Sequence, residues 1–351
     1  MKRFTVLTMF AFLLPYTAVL GNSTKAEYER VCSKAVAGDV RPILSFLDSI
    51  EDVNDSQFAE LHEKYKKRFI TAEERIEFDG AFITSLYNLY TTYWRTSLLD
   101  PKSDKKAKKT LVSELAKLAK TKGYKSTISE SLFGPNIGKL ETFFIKTAKE
   151  RGYHLLMGQT LPLRELMIWE KEEKETYIVE LPIDSFSVNV VFLQEFLSKG
   201  WLGYATFNKS HSGGWYKGDT IYRVGGKPDE NNEWFRVSLL GHEGRHISDE
   251  KLYGTLDSRI LEYRAKLTEL LLAERTFWHL LNQFRNEAQA PGSSPHSYAS
   301  HQLTYDLMGE LTQGKETKSL HTFRFEDYSE ERLKDVMKLL LDKSTESLEG
   351  N

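Results

Sequence analysis

The sequence predicts an α+β protein: a helical amino-terminal domain, residues 22–150, precedes a domain, residues 151–351, with a small sheet and further helices. Up to residue 150, apolar side chains recur at three- and four-residue spacing, as on amphipathic helices. After Gly152 the spacing becomes alternating and rich in β-formers, and from Glu233 it returns to the helical period. The length of 351 residues fits about two domains, and the 40% hydrophobic content is enough for a packed core.

The first 21 residues resemble a secretory leader. Lys2 and Arg3 precede an apolar stretch from Phe4 to Leu20, and Gly21 is small enough for signal peptidase. An uncleaved anchor is the alternative, but the stretch is short for a membrane span. We therefore expect a periplasmic or secreted protein with no stable membrane span after cleavage. Its single cysteine, Cys32, excludes an internal disulfide.

Helical segments fill the amino-terminal domain. The segments SQFAELHEKYKKRFI, TAEERIEFDGAFITSLYNLYTTYW and KLETFFIKTAKERG all have the helical period. Thr71 and Glu74 form a capping-box pattern that predicts the start of the second helix. Its aromatic stripe of Tyr87, Tyr90 and Trp94 is interpreted as core packing.

Charge gives little indication of a binding partner. The chain has 48 basic and 50 acidic residues, with a net charge of −2, so we expect no nucleic-acid partner. The basic run KSDKKAKK, residues 102–109, opens a further helical stretch and is interpreted as a solvated face rather than a binding patch.

The middle of the chain predicts strands. In YHLLMGQTLPLRELMIWEKEEKETYIVELP the charged EKEEKE is expected to form a hairpin turn. SVNVVFLQEFLSKG fits a strand or a short helix, and WLGYATF and DTIYRVGG fit strands. Gly213 and Gly214 are interpreted as a hairpin turn, with an edge strand that pairs with an extended peptide as the alternative.

The segment LLGHEGRHISD contains the pattern HExxH. His242 and His246 are four residues apart, so a helix presents both imidazoles on one face, where they can bind the same metal ion. Glu243 can reach a metal-bound water and act as general base. The pattern also occurs by chance, so the other interpretation is an exposed helix with two incidental histidines.

A catalytic zinc needs a third protein ligand. Glu262 follows His246 by sixteen residues, which a continuous helix would separate by about 24 Å. The chain must therefore reverse, and KLYGTLD provides Gly254 for a turn and Thr255 or Asp257 as a helix cap. A long helix is expected from LDSRILEYRAKLTELLLAERTFWHLLNQF, with Glu262 in its second turn. Asp257 is the main alternative ligand.

HEGRH followed by LEYRAKL is similar to the gluzincin metallopeptidases, whose second motif is a zinc-binding glutamate in an ExxA context, matched here by Glu262 and Ala265. The resemblance covers roughly residues 235–285. It implies a zincin-like domain over 151–351 in which His242, His246 and Glu262 hold Zn²⁺ and Glu243 is the catalytic base. The spacing of sixteen residues is shorter than is usual in that group, and Arg245 is charged where an uncharged residue is typical.

Downstream, the segment GSSPHSYASHQLTYDL contains further candidate catalytic residues. His296, Tyr298 and His301 resemble the His/Tyr loops with which some gluzincins hold the oxyanion, and a neutral imidazole or a phenol is a suitable donor. An ordinary surface loop is the alternative.

These observations predict an exported zinc-dependent metallohydrolase, a peptidase acting on a peptide or protein. The alternative is an exported, non-catalytic binding protein with a vestigial or structural zinc site. A structural zinc has four protein ligands, commonly with cysteine pairs, and this chain has no such pair. The oligomeric state stays open.

Overall fold

The structure is a computed structural model, which describes residues 35, 37–49, 56–72, 74, 76–124, 135–182, 184–229, 231–288, 294–314, 319–320 and 322–350. The leader-like residues 1–21 and Cys32 lie outside the described residues. The chain divides into two compact units: Met1–Glu172 with Leu193–Gly213, and Glu173–Phe192 with Gly214–Asn351. The division therefore differs from the boundary expected at residue 150, because two long strands each continue from one unit into the other.

Unit 1 is largely helical. Its described helices are α1 (Arg41–Ser49), α2 (Ser56–Tyr65, continued by a π-helical turn at Lys66–Ile70), α3 (Ala81–Leu99), α4 (Asp104–Thr121), α5 (Pro135–Lys149) and α6 (Gly200–Thr206). It also contains the strand β1 (His154–Thr160), the first part of β2 (Leu163–Leu181) and the last part of β3 (Asp184–Lys199).

The aromatic stripe of α3 is core, as expected. Tyr87, Tyr90 and Trp94 are buried among the apolar residues of unit 1, and the Trp94 indole donates a hydrogen bond of 2.8 Å to the carbonyl of Arg164. The capping-box prediction for this helix is wrong, since α3 begins only at Ala81. Glu74 instead forms an ion pair with the guanidinium of Arg68.

The strands form one five-stranded sheet in the order β1-β2-β3-β5-β4, where β4 is Gly214–Lys217 and β5 is Thr220–Val224. β1 and β2 are antiparallel, and Thr160 pairs with Leu163 across a tight connection. The turn expected at EKEEKE, residues 170–175, is wrong because the turn of this hairpin comes earlier, at residues 161–162. The charged residues continue β2 as a solvent-facing strand.

The segment WLGYATF was expected to be a strand, and this too is wrong: it forms α6. Gly200, the first residue after β3, has a φ of +87°, a conformation that favours glycine. The buried carboxylate of Glu165 then accepts the backbone N–H of Trp201 at 3.0 Å and so satisfies a free donor at the start of the helix.

Unit 2 carries the remaining elements. After β4 and β5 come a π-helical segment (Phe235–Gly241), α7 (His242–Tyr253), α8 (Ser258–Leu272), α9 (Phe277–Glu287), α10 (Pro295–Thr312) and α11 (Glu330–Glu349). The single long helix expected after residue 256 is broken between α8 and α9. The buried carboxylate of Glu233 accepts the backbone N–H groups of Glu274 and Thr276 there, which starts a new helix.

The described chain is therefore α+β, with eleven α-helices and one small sheet. Among the described residues, no helix has both the length and the apolar character that crossing a membrane requires.

Candidate metal centre

Helix α7 begins at the first histidine of HEGRH. The π-helical segment Phe235–Gly241 leads directly into His242, and wide helical turns of this kind often accompany functional sites. His242, Glu243 and His246 are all buried, with at most 1% of their surface exposed. Gly244 lies against β2, where a Cβ would meet a methyl carbon of Val179 at 2.7 Å. The sequence thus buries this helical turn completely.

The chain reverses after α7, as the sixteen-residue spacing requires. Gly254 follows the helix with a φ of +74°, and Asp257 caps α8 by accepting the backbone N–H of Arg259. The Asp257 carboxylate also pairs with the Arg259 side chain at 3.0 Å and lies outside the histidine cluster. The described group of potential metal ligands comprises His242, His246 and Glu262.

The three side chains converge on one point. The Nε2 atoms of His242 and His246 are 3.1 Å apart, and the Glu262 carboxylate oxygens lie 3.4 Å and 3.6 Å from them. Ligands bound to zinc at about 2.0–2.1 Å in a tetrahedron are about 3.3 Å apart, so the spacing fits an ion of that size. The donor set of two imidazoles and one carboxylate also suits a divalent metal.

The electrostatics of the cluster favour a cation. Burial opposes the protonation of His242, but the carboxylates of Glu269 and Glu262 outweigh it and raise its pKa to about 10. Burial also opposes the charge on Glu262, but His296, His242 and His246 hold its pKa well below the usual range. The site therefore stabilises both a negative carboxylate and positive charge beside it, which is the environment that a bound cation requires.

Glu269 is a site residue that the sequence reasoning missed. Its Oε1 lies 2.6 Å from Nδ1 of His242, and both residues are buried. A carboxylate on Nδ1 fixes the tautomer that leaves Nε2 free for a metal. Glu269 follows Glu262 by seven residues, two helical turns, so the spacing placed both on one face of α8 and could have identified it.

Glu243 has the surroundings of a buried base. It is fully buried, and among the described residues neither of its carboxylate oxygens has a hydrogen-bond partner. Burial raises its pKa, while the positive charge of the nearby histidines opposes the rise. A buried carboxylate without a partner is costly, so these two oxygens are available to a water or a substrate group.

Arg245 has a structural role that explains its charge within the motif. Its side chain is fully buried and points to α8, where Nε donates to the Thr268 hydroxyl at 3.0 Å. Its guanidinium lies 3.5 Å from Asp249, which also receives two hydrogen bonds from Arg264 of α8. These contacts fix the helix of the histidines against the helix of Glu262.

Of the three oxyanion candidates, the structure brings one to the cluster. His296 lies in the first turn of α10, with Nδ1 at 2.8 Å from Glu262; its Nε2 is buried and has no partner among the described residues. Tyr298 lies under the Arg259 guanidinium instead, and the His301 ring packs on Tyr305. Neither has a described contact with the three ligand residues, because the two side chains lie on other parts of the helix surface.

The edge of the sheet lies close to the cluster. Tyr216 of β4, the last strand in the sheet order, packs its ring on His246 with 5.4 Å between centroids. Its hydroxyl donates to Glu250 of α7 at 2.8 Å. The residues Gly213 and Gly214 therefore lead into an edge strand rather than forming the tip of a hairpin.

No protein-family model, curated protein or solved structure matches this chain.

Proposed function

We propose that this chain is a zinc-dependent metallohydrolase, and specifically a peptidase of the gluzincin kind with a zincin-like domain in unit 2. The observation that carries the proposal is the convergence of His242, His246 and Glu262, with ligand atoms 3.1–3.6 Å apart. Beside them, the buried carboxylate of Glu243 has no hydrogen-bond partner among the described residues. A helical HExxH motif with a carboxylate from the next helix is the ligand arrangement of a hydrolytic zinc site.

His242, His246 and Glu262 would hold Zn²⁺, which supplies Lewis acidity that polarises a carbonyl and acidifies a water. Glu243 would take a proton from the attacking water and deliver it to the leaving amine.

His296 is the oxyanion candidate that contacts the cluster, and it would donate to the developing oxyanion as a doubly protonated ring. Its Nδ1 lies 2.8 Å from the Glu262 carboxylate and so carries the proton of a neutral ring, in which Nε2 can only accept. Donation from Nε2 therefore requires a second proton on the ring. We assign no catalytic role to Tyr298 or His301.

The substrate we propose is an extended peptide segment. β4 is the last described strand in the sheet order and lies next to the cluster through Tyr216, and extended peptides bind by strand addition at such an edge. We also propose that the protein meets this substrate after export, on the basis of the leader-like residues 1–21.

One observation favours a closed, non-catalytic site as the second candidate. His242, His246 and Glu262 are at most 5% exposed, and an enzyme must admit its substrate to these groups. Among the described residues, however, the group comprises three potential protein ligands, whereas a structural zinc site has four.

The substitution Glu243→Gln separates the two candidates. Glutamine keeps the size of the side chain but cannot accept the proton, so hydrolysis of a generic protein substrate should fall about 100-fold or more, while the bound metal stays stoichiometric. Metal analysis and proteolysis assays on the same preparation measure both quantities. Full activity of the variant would refute the assigned base. Stoichiometric zinc with no hydrolysis by the native chain would favour the closed site.

A further inference from the structure

One face of α4 presents a row of lysines. Lys105, Lys106, Lys109, Lys117 and Lys120 are all exposed. At 100° per residue they fall within an arc of about 120°, over a length of about 22 Å. We call these five residues the lysine face. The opposite side of α4 is apolar and buried in the core of unit 1 through Ala107, Leu111, Leu115 and Ala119.

The charges of the lysine face are largely unneutralised. Among the described residues, Lys105, Lys106, Lys109 and Lys120 form no ion pair, and only Lys117 pairs with an acid, Glu114 at 2.7 Å. The helix contains six lysines and two acidic residues in a chain whose net charge is −2. Positive charge is therefore concentrated here against the balance of the whole chain.

The side chains between the lysines are small. Ser113 and Ala116 fall within the arc, and neither an aromatic nor a large apolar side chain lies within it. The neighbouring helix α5, which packs against α4, also has exposed lysines, Lys139, Lys146 and Lys149.

We propose that the lysine face docks this protein on an anionic lipid surface. Lysines are flexible point charges that suit a smeared negative potential, whereas stereospecific phosphate recognition favours arginine forks. Single-stranded nucleic acid would further favour aromatic side chains for base stacking, and the arc contains none. The absence of apolar side chains from the arc fits adsorption at the headgroups rather than insertion.

Residues 102–109 were interpreted from the sequence as a solvated face. They contain three of the five lysines of the lysine face, Lys105, Lys106 and Lys109. Lys117 and Lys120 lie about three and four helical turns after Lys105, on the same side of the helix. The proposal is independent of the metal chemistry, because α4 belongs to unit 1 and the metal ligands to unit 2.

Vesicle co-sedimentation of the full chain tests the proposal. We expect binding to vesicles of equal parts phosphatidylglycerol and phosphatidylcholine at low salt, and its loss in about 1 M salt, where the Debye length is about 3 Å. Pure phosphatidylcholine vesicles measure any contribution of the apolar stretch Phe4–Leu20. Binding of equal strength to both kinds of vesicle would overturn the proposal.

Two matched variants locate the surface. Replacing Lys105, Lys106, Lys109 and Lys120 by glutamine should weaken binding to the anionic vesicles at least about tenfold. The control replaces four exposed lysines elsewhere, Lys171, Lys174, Lys251 and Lys338, and removes the same charge. Equal losses in the two variants would overturn the proposal, as would tight binding of a single-stranded oligonucleotide without binding to vesicles. Circular dichroism of both variants checks that α4 is intact.

Discussion

His242 and His246 differ in the contacts of Nδ1, the ring nitrogen that does not face the other proposed ligands. Nδ1 of His242 is fixed by Glu269, whereas Nδ1 of His246 is buried without a partner in the described part of the chain. The rings of Tyr216 and His242 both pack against His246. The two proposed ligands should therefore depend differently on their neighbours, because a carboxylate fixes Nδ1 of His242 and no described group does so for His246.

Glu269→Ala should lower metal affinity about 10- to 100-fold, the usual range for an outer-shell partner. Glu269→Gln keeps an oxygen that accepts the Nδ1 proton, so its loss should be smaller. Competition with a metal-binding dye measures both affinities. If the two substitutions weaken binding equally, the carboxylate acts through its charge and not by fixing the tautomer.

Glu262→Ala and Asp257→Ala distinguish the third ligand from its alternative. Removing Glu262 should cost more than about 100-fold in metal affinity, beyond what an outer-shell residue contributes. Asp257→Ala removes the cap of α8 and should lower stability by about 1 kcal/mol with the metal retained. Metal content after gel filtration and thermal melts provide the readouts. Retention of metal by the Glu262 variant would exclude it as a ligand.

Much of the site could be predicted at the scale of residues. His242, Glu243, His246 and Glu262 follow from a five-residue pattern and a forced chain reversal, and the structure brings His242, His246 and Glu262 together. The sequence could not show which of His296, Tyr298 and His301 faces the cluster, because the orientation of each side chain depends on the residue at which α10 begins. That start is set by Ser294, which accepts the backbone N–H of Ser297.

At the scale of elements, three of the errors involve carboxylates. The sequence periods identified most helices, but three boundaries depend on buried or paired carboxylates. Glu165 starts α6, Glu233 starts α9, and Glu74 pairs with Arg68 instead of capping α3. Such contacts join residues far apart or reverse a local preference, so local sequence patterns do not reveal them.

The carboxyl group of Glu165 should make stability depend on pH. Burial raises its pKa to about 7, although the N–H groups of Trp201 and Leu166 partly oppose the rise. A folded-state pKa above the unfolded value favours the folded state at low pH. The contribution is therefore full below about pH 4.5 and is lost as the pH rises through about 7, by about 3 kcal/mol at most.

Glu165→Gln should remove this pH dependence, since the amide can still accept both N–H groups without a charge. Melting temperatures between pH 5 and pH 8 should fall more steeply in the native chain than in the variant. Gly200→Ala serves as a second probe, because its Cβ would meet a Glu165 oxygen at 2.1 Å, and should destabilise at every pH. Parallel curves for the native chain and Glu165→Gln would refute the assigned pKa shift.

At the scale of the whole molecule, the chain passes between its units within strands. β2 and β3 each begin in one unit and end in the other, so no single residue of the chain separates the two units. Composition reports the change from helix to strand, whereas the units are defined by which side chains pack together. Every metal-site residue falls in unit 2, and the aromatic core of α3 in unit 1.

Removal of a bound metal should therefore destabilise unit 2 and leave unit 1 unchanged. A metal that binds only the folded state stabilises it by about 4 kcal/mol at a concentration a thousand times Kd. Chelation should remove this stabilisation and speed amide exchange in α7 and α8, because their side chains lose the ion that they share. Exchange in α3 and α4 should stay unchanged. Hydrogen exchange read by mass spectrometry, before and after chelation of the metal-loaded protein, resolves the two units.

The Glu262→Ala variant is the control, because the chelator should have no further effect on it. Faster exchange in α3 as large as that in α7 would show that the ion supports both units, and no change in α7 would exclude a metal at His242 and His246.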